Sequence, residues 1–153
     1  MRNPDNAFHV AIPCGDLDEA VKFYNEKLGF KLARRYPDRV TFDFFGDQLV
    51  CHLNPSKLSK DKSPYPRHLG ITFYYKKEFD SFIRLLTERQ IELLDPVTEF
   101  GWENQADEPM NYSESQIGTR FKDMAEEHLT IFLSDPFNNI LEFKYYLDPR
   151  MMH

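Results

Sequence analysis

Residues 8–36 decide the fold, and they read FHVAIPCGDLDEAVKFYNEKLGFKLARRY. The first six of them alternate between two faces, which is the pattern of a β-strand. Asp16 then has the chemistry of a helix N-cap, and apolar residues follow it at helical spacing as far as Leu28. Gly29 is a typical residue for the end of such a helix. The stretch therefore predicts a strand, a helix and a second strand in that order.

The same order of elements occurs twice along the chain. In the first half, the predicted strands after the helix cover residues 31–36, 39–45 and 48–53. In the second half, the patterns predict a strand at 68–73, a helix at 76–90, a strand at 91–97, an irregular stretch at 98–125 and a hairpin of strands at 127–133 and 139–146. We therefore predict an α+β fold of two βαβββ units with mostly antiparallel strands.

The two repeats are expected to form one domain. We place unit one at about residues 7–53, a polar linker rich in proline and lysine at 54–66, and unit two at about 67–147. Neither unit is long enough to bury a large core alone, so we predict a single domain over residues 1–153.

Composition excludes several classes of protein. The 153 residues are 41% hydrophobic and 15% aromatic, which is too rich for a disordered chain. No apolar run approaches the roughly 20 residues of a membrane span, and the first residues have no signal-peptide core. A net charge of −6 argues against a nucleic-acid surface. Two cysteines without CxxC spacing suit a cytoplasmic protein that has no disulfide scaffold.

Four polar residues lie on predicted strands with apolar neighbours on the opposite face: His9, His52, His68 and Glu142. His9 and His68 occupy equivalent places in the two repeats. A buried carboxylate is costly unless it is paired or bound to a metal, and imidazole with carboxylate suits divalent metals. A single strand histidine is more often structural. From the residues alone, a shared metal site and separate structural roles are therefore both open.

These motifs resemble the vicinal oxygen chelate superfamily, which includes glyoxalase I, bleomycin-resistance proteins and extradiol dioxygenases. The resemblance is carried by FHVAIP at 8–13, by DL at 16–17 through FY at 23–24 to LGF at 28–30, by HLG at 68–70, and by DP at 135–136 through LEFK at 141–144. The run FFGDQLVCH at 44–52 is similar to a small single-domain subgroup described as predicted extradiol-type dioxygenases.

The resemblance implies a metal enclosed by curved sheets, with ligands from the first and last strands of each unit. By that resemblance the ligands are His9, His52, His68 and Glu142. It favours Fe(II), with Zn(II), Ni(II) or Mn(II) as alternatives. Many glyoxalases carry Glu or Gln where this chain has His52, and a fourth protein ligand leaves fewer open positions for substrate and dioxygen.

Several further residues are candidates for substrate chemistry. His128 shares a predicted strand face with Thr130 and is a candidate acid/base, although an exposed edge position is the alternative. Tyr112, Arg120 and Tyr146 are candidates for binding an anionic or phenolic substrate, with structural roles as the alternative. The stretch 101–118, which contains Trp102, is an insertion that is either a lid or a surface loop. Asn138 replaces the glycine usual in the last turn, and asparagine tolerates a positive φ there.

Three functions are open at this point. The first is an extradiol-type ring-cleaving oxygenase that acts on a small vicinal-oxygen substrate. The second is a glyoxalase-like lyase or isomerase, which the single carboxylate among the four ligands disfavours. The third is a ligand-sequestering protein like the bleomycin-resistance relatives, which typically lose the ligand residues that this chain keeps. For any of them we expect a cytoplasmic homodimer that binds a small molecule and neither nucleic acid nor membrane.

Overall fold

The structure is a computed structural model, and it describes residues 5–95 and 117–153. These residues divide into two compact units. Unit 1 comprises Met1–Asp61 and Asp135–Asn139, and unit 2 comprises Lys62–Ser134 and Ile140–His153. The predicted single domain and its internal boundaries stay a prediction. No helix in the described ranges is long and apolar enough to cross a membrane.

In its described residues, unit 1 contains one helical segment and four strands. The elements are β1 (His9–Cys14), α1 (Leu17–Val21) continued by a π-helical segment (Lys22–Lys27), β2 (Lys31–Arg35), β3 (Arg39–Phe44), β4 (Asp47–Leu53) and a 3₁₀ turn (Pro55–Lys57). The helix begins as predicted, since the Asp16 carboxylate accepts hydrogen bonds from the amides of Asp18 and Glu19. It ends at Lys27, and Gly29 follows with a φ of 82° that requires the conformational freedom of glycine.

Unit 2 has one longer helix and four strands in its described residues. The elements are β5 (Leu69–Thr72), α2 (Lys76–Glu88), β6 (Gly118–Arg120), β7 (His128–Ser134), β8 (Ile140–Tyr146) and a 3₁₀ turn (Pro149–Met152). Asn138, before β8, has the positive φ of 62° that the sequence predicts.

The two sheets have the same strand order. Their orders are β1-β4-β3-β2 and β5-β8-β7-β6. Among the described strands, β1 with β4 and β5 with β8 are parallel pairs, and the other four pairs are antiparallel. This confirms the α+β fold of repeated units with mostly antiparallel strands. The first and last strands of each unit lie side by side.

Each sheet has an apolar face that packs on its helix and a face that carries polar residues. In unit 1 the ring of Tyr24 packs 5.2 Å from that of Phe42, measured between centroids. In unit 2 Phe82 of α2 packs 4.5 Å from Phe143 of β8. Burying each such ring stabilises the fold by about 1.5–3 kcal/mol. Because the helix covers one face, the alternate residues of the strands point to the other.

Two predicted elements of the second repeat are wrong. Residues 91–95 form no strand, and only Leu94 bridges to Phe132. Leu93 and Leu94 are buried, so the apolar run serves the core rather than a strand ladder. The predicted irregular stretch 98–125 contains β6, which pairs with β7 through backbone hydrogen bonds. Residues 121–125 are turns and bends, as the prediction of an irregular stretch expects, and residues 96–116, with most of the 101–118 insertion, lie outside the described residues.

The turn between β7 and β8 belongs to unit 1. Its Asp135 carboxylate is buried and accepts a hydrogen bond from the Tyr24 hydroxyl at 2.8 Å. It also accepts from the Asn139 side chain at 2.7 Å, and Asn139 in turn donates to the carbonyl of Pro13. A buried carboxylate is tolerated only with such partners, so this network of hydrogen bonds stabilises the Asp135 carboxylate in the core.

Candidate functional site

The central feature of unit 2 is a contact between His68 and Glu142. Nε2 of His68 lies 3.1 Å from Oε2 of Glu142. His68 directly precedes β5 and Glu142 lies on β8, so the pairing of first and last strands brings them together. The approach is close because Gly70 opposes Glu142, and a Cβ there would lie only 1.5 Å from the Glu142 carbonyl oxygen.

The hydrogen bond on the far side of the His68 ring fixes its tautomer. Nδ1 lies 2.8 Å from the carbonyl oxygen of Pro64, which can only accept, so Nδ1 carries a proton. In the neutral ring Nε2 is therefore a bare lone pair that faces a carboxylate oxygen. Two acceptors in contact require a proton or a cation shared between them. Consistent with this, the hydrogen bond to Glu142 raises the pKa of His68.

Glu142 is nearly buried and is held as a carboxylate. Burial by itself would raise its pKa, but the contacts with His68, Lys144 and Thr130 lower the pKa of Glu142 to about 2. The Thr130 hydroxyl donates to Oε1 at 2.8 Å. The Lys144 ammonium lies 3.6 Å from Oε2. Oε1 is thus occupied by an internal donor, while Oε2 faces both His68 and a cation.

His128 and Tyr146 lie together on the same face of the unit 2 sheet. They are paired residues of β7 and β8, with ring centroids 4.7 Å apart. Nδ1 of His128 donates to the carbonyl of Glu126 at 2.9 Å, so Nε2 of the neutral ring is an acceptor. Burial lowers the pKa of His128, and the charges of Lys144 and Arg120 lower it further. The predicted alternative of an exposed edge position is wrong, since His128 is 5% exposed.

In unit 1, His9 contacts Gln48 rather than His52. The two are paired residues of β1 and β4, and Nδ1 of His9 lies 2.5 Å from Oε1 of Gln48. His52 is exposed on the same face of β4, opposite Pro13. It lies four residues from Gln48, or about 13 Å along the strand.

The predicted site residues therefore fall into separate groups. His68 with Glu142, and His128 with Tyr146, are brought together within unit 2, while His9 and His52 lie on β1 and β4 of unit 1. Arg120 is paired with His128 through the β6–β7 register. Within residues 5–95 and 117–153, no three His, Cys, Asp or Glu side chains are grouped to hold a metal ion. The four-ligand set stays a prediction. Trp102 and Tyr112 lie outside the described residues.

Sequence reasoning missed three side chains that contact the predicted ones: Gln48, Thr130 as a partner of Glu142, and Lys144. The two-residue repeat of the strands could have found them. Glu142, Lys144 and Tyr146 are every second residue of β8 and therefore share a face. Parity applied to β4 likewise puts Gln48 on the face of His52.

A family model and several solved structures match this chain over most of its length. The family model described as "Glyoxalase/Bleomycin resistance protein/Dioxygenase superfamily" matches residues 7–143. A solved glyoxalase/bleomycin resistance protein/dioxygenase from Alicyclobacillus acidocaldarius is 51% identical, with a TM-score of 0.83 and full coverage of both chains.

More distant structures share the fold. A genomically encoded fosfomycin resistance protein from Listeria monocytogenes is 14% identical, with a TM-score of 0.60 over 95% of this chain and 98% of that chain. A lactoylglutathione lyase from Agrobacterium tumefaciens is 19% identical, with a TM-score of 0.53 over 94% of this chain and 95% of that chain. No curated protein sequence matches the chain.

Proposed function

The chain belongs to the Glyoxalase/Bleomycin resistance protein/Dioxygenase superfamily, and from this premise we propose that it is a metal-dependent, extradiol-type ring-cleaving oxygenase. Its substrate is a small molecule with two vicinal oxygens. The observation that carries the proposal is the contact of His68 Nε2 with Glu142 Oε2. The finer activity follows from the resemblance of residues 44–52 to extradiol-type relatives.

The His68–Glu142 pair fits a divalent metal ion. Two ligand atoms about 2.1 Å from one octahedral ion are about 3 Å apart, which the separation of 3.1 Å matches. A metal ion would take the place of the proton that Nε2 of His68 and Glu142 otherwise share, because the neutral ring carries its own proton on Nδ1 and Glu142 is held ionised. The Pro64 carbonyl supplies the outer hydrogen bond that metal-binding histidines usually make.

The remaining ligands rest on the resemblance, which implies His9 and His52. A divalent metal held by the four residues would supply Lewis acidity and a template for two adjacent oxygens. We favour Fe(II), because the proposed reaction consumes dioxygen and needs a redox-active ion. Zn(II), Ni(II) and Mn(II) are the alternatives.

We assign proton transfer to His128. Its neutral ring has Nδ1 tied to the Glu126 carbonyl, so Nε2 is available to accept the proton of a substrate hydroxyl. Tyr146 packs against this ring and offers a phenol on the same face. Both side chains share that face with Glu142, because β8 alternates and the β7–β8 register pairs His128 with Tyr146.

The test is anaerobic reconstitution with Fe(II), followed by a panel of catechols in air. We expect yellow ring-fission products with matching oxygen uptake, and their loss in His68→Ala. No product and no oxygen uptake with any diol would overturn the oxygenase proposal.

The same preparations separate the other two functions. Turnover of a glutathione hemithioacetal with Ni(II) or Zn(II), without oxygen uptake, would put the protein among the lyases and isomerases. Metal that stays far below one ion per chain after reconstitution would favour a ligand-sequestering protein.

We also propose a cytoplasmic location. It is supported by the free, buried thiols of Cys14 and Cys51, since a reducing compartment keeps such thiols from oxidation. Burial raises the pKa of both thiols, which lowers their reactivity further. A fluorescent fusion that is secreted or membrane-bound would contradict it.

A further inference from the structure

The sheet of unit 2 holds the two members of the proposed ligand pair unequally. Glu142 lies within β8, an inner strand, and is paired with neighbouring strands on both sides. His68 directly precedes β5, a strand of four residues at the edge of the sheet. The pairing of β5 with β8 begins only at Leu69. The backbone ladder therefore fixes Glu142 and ends before His68.

The irregular segment 63–66 supplies contacts that orient the His68 ring. The carbonyl of Pro64 accepts the hydrogen bond from Nδ1 at 2.8 Å. The ring of Tyr65 lies edge-on to the imidazole, with centroids 5.9 Å apart and an angle of 89° between the planes. Because the Pro64 carbonyl and the Cα of Tyr65 belong to one planar peptide unit, a movement of Tyr65 also moves the carbonyl.

The hydroxyl of Tyr65 is held from the opposite edge of the sheet. It accepts a hydrogen bond from Nη1 of Arg120 at 3.0 Å. Arg120 ends β6, and the strand order β5-β8-β7-β6 puts two strands between β6 and β5. At about 4.8 Å per strand, the two edges are about 14 Å apart, so the two side chains together reach across β8 and β7. A guanidinium has several N–H donors, so this bond is compatible with further contacts of Arg120.

We propose that Tyr65 is a positioning residue for metal binding. Its hydrogen bond with Arg120 holds the segment 63–66 so that the Pro64 carbonyl stays on Nδ1 of His68 and Nε2 stays aimed at Glu142. The inference rests on the proposed function and deepens it, because it names what orients the ligand that the backbone ladder leaves unfixed. Tyr65 acts through His68.

The test compares Tyr65→Phe with Tyr74→Phe in the whole protein, since each substitution removes only a hydroxyl. Tyr74 is a matched control: it is 60% exposed against 54% for Tyr65, and its hydroxyl also has a partner, Nε2 of His153 at 3.1 Å. Binding of Mn(II) is measured by calorimetry. The imidazole N–H signals of the metal-free proteins are recorded by NMR.

Tyr65→Phe is expected to bind Mn(II) about fivefold more weakly, while Tyr74→Phe binds it like wild type. The loss is smaller than the tenfold or more that follows removal of an outer hydrogen-bond partner, because the Pro64 carbonyl itself is kept. The Nδ1–H signal of His68, assigned by its loss in His68→Gln, should broaden by exchange with water in Tyr65→Phe only. A merely structural role would lower the midpoint of chemical denaturation and leave this signal in place.

A second background isolates the hydrogen bond. Arg120→Met removes the donor, so adding Tyr65→Phe to it should change Mn(II) affinity by less than about twofold, because the two substitutions break the same bond. The full fivefold loss in the Arg120→Met background would overturn the inference, since the Tyr65 hydroxyl would then act without Arg120.

Wild-type Mn(II) affinity and a sharp Nδ1–H signal in Tyr65→Phe would also overturn it. If the wild-type protein takes up no Mn(II), the proposed function itself fails. The NMR comparison needs no metal, so it still decides whether Tyr65 orients His68, and the two failures are distinguishable.

Discussion

At the scale of single residues, three histidines share one arrangement of hydrogen bonds. His9, His68 and His128 each place Nδ1 against an oxygen acceptor, namely the Gln48 side chain and the carbonyls of Pro64 and Glu126. Each neutral ring therefore presents Nε2 as a lone pair. Such outer partners fix the tautomer that a metal ligand or a general base needs.

The first prediction concerns the pH dependence of catalysis. Burial and the cations Lys144 and Arg120 lower the pKa of His128, against opposing contributions from the Glu126 carbonyl and Glu142. The base form therefore persists to a pH below the ordinary histidine value of about 6.5. We expect the acidic limb of kcat/KM to lie below that pH and to disappear in His128→Gln. The control variant His153→Gln should keep the acidic limb. If His128→Gln also keeps it, the assignment of His128 as the base is contradicted.

The second prediction concerns Thr130, which positions Glu142. Thr130→Val removes the donor to Oε1 and keeps the side-chain shape, so the carboxylate loses its fixed orientation. We expect metal affinity to fall about tenfold, as it does when other outer-shell partners are removed. Thr41→Val is the matched control, because Thr41 is a buried threonine of the unit 1 sheet. Equal metal affinity in the two variants would show that Thr130 does not orient Glu142.

The sequence predicts correctly which face a side chain occupies where the two-residue repeat of a β-strand decides it. Parity correctly put His128 and Thr130 on one face, because successive strand residues alternate. It could not supply the partners of the imidazole rings, because the carbonyls of Pro64 and Glu126 come from irregular segments. Such contacts depend on the path of the backbone and leave no periodic signal in the sequence.

At the scale of elements, the site depends on the parallel pairing of β5 with β8. Gly70 allows the two strands to approach, since any side chain there would overlap the backbone of Glu142. The repeat of the sequence predicted the succession of elements in a βαβββ unit, while the order of the strands within each sheet comes from the structure. The three-residue β6 was missed, because its pairing depends on β7 and not on its own apolar pattern.

The third prediction tests this close approach. Gly70→Ala is expected to destabilise the protein by about 3 kcal/mol or more, because its Cβ would lie 1.5 Å from the Glu142 carbonyl oxygen. In Gly118→Ala the nearest atom is a Thr130 methyl at 3.4 Å, an ordinary contact, so a change within about 1 kcal/mol is expected. Chemical denaturation measures both. Similar midpoints for the two variants would contradict the proposed role of Gly70.

At the scale of the whole molecule, the sequence repeat appears as two four-stranded sheets with one strand order. Each unit carries its helix on one face and polar residues on the other, which the alternation of the strands dictates. The repeat did not reveal that residues Asp135–Asn139 belong to unit 1, because the sequence shows them only as the turn of a hairpin. The buried bond from Tyr24 to Asp135 joins residues 111 positions apart, which no local pattern encodes.

The fourth prediction is that the protein is a homodimer. It rests on the family resemblance, since many members with two units dimerise. Size-exclusion chromatography with light scattering should give twice the mass of one chain, independent of loading over a tenfold range. The mass of a single chain at all loadings would contradict it.

The most direct test of the account is the metal content of freshly purified protein, measured by mass spectrometry for wild type beside His68→Ala and His153→Ala. If His68 and Glu142 hold the metal, wild type and His153→Ala should contain about one divalent ion per chain as purified. His68→Ala should then contain far less, since one of the paired ligands is gone. Equal metal in wild type and His68→Ala would remove His68 from the ligand set and contradict the proposed site.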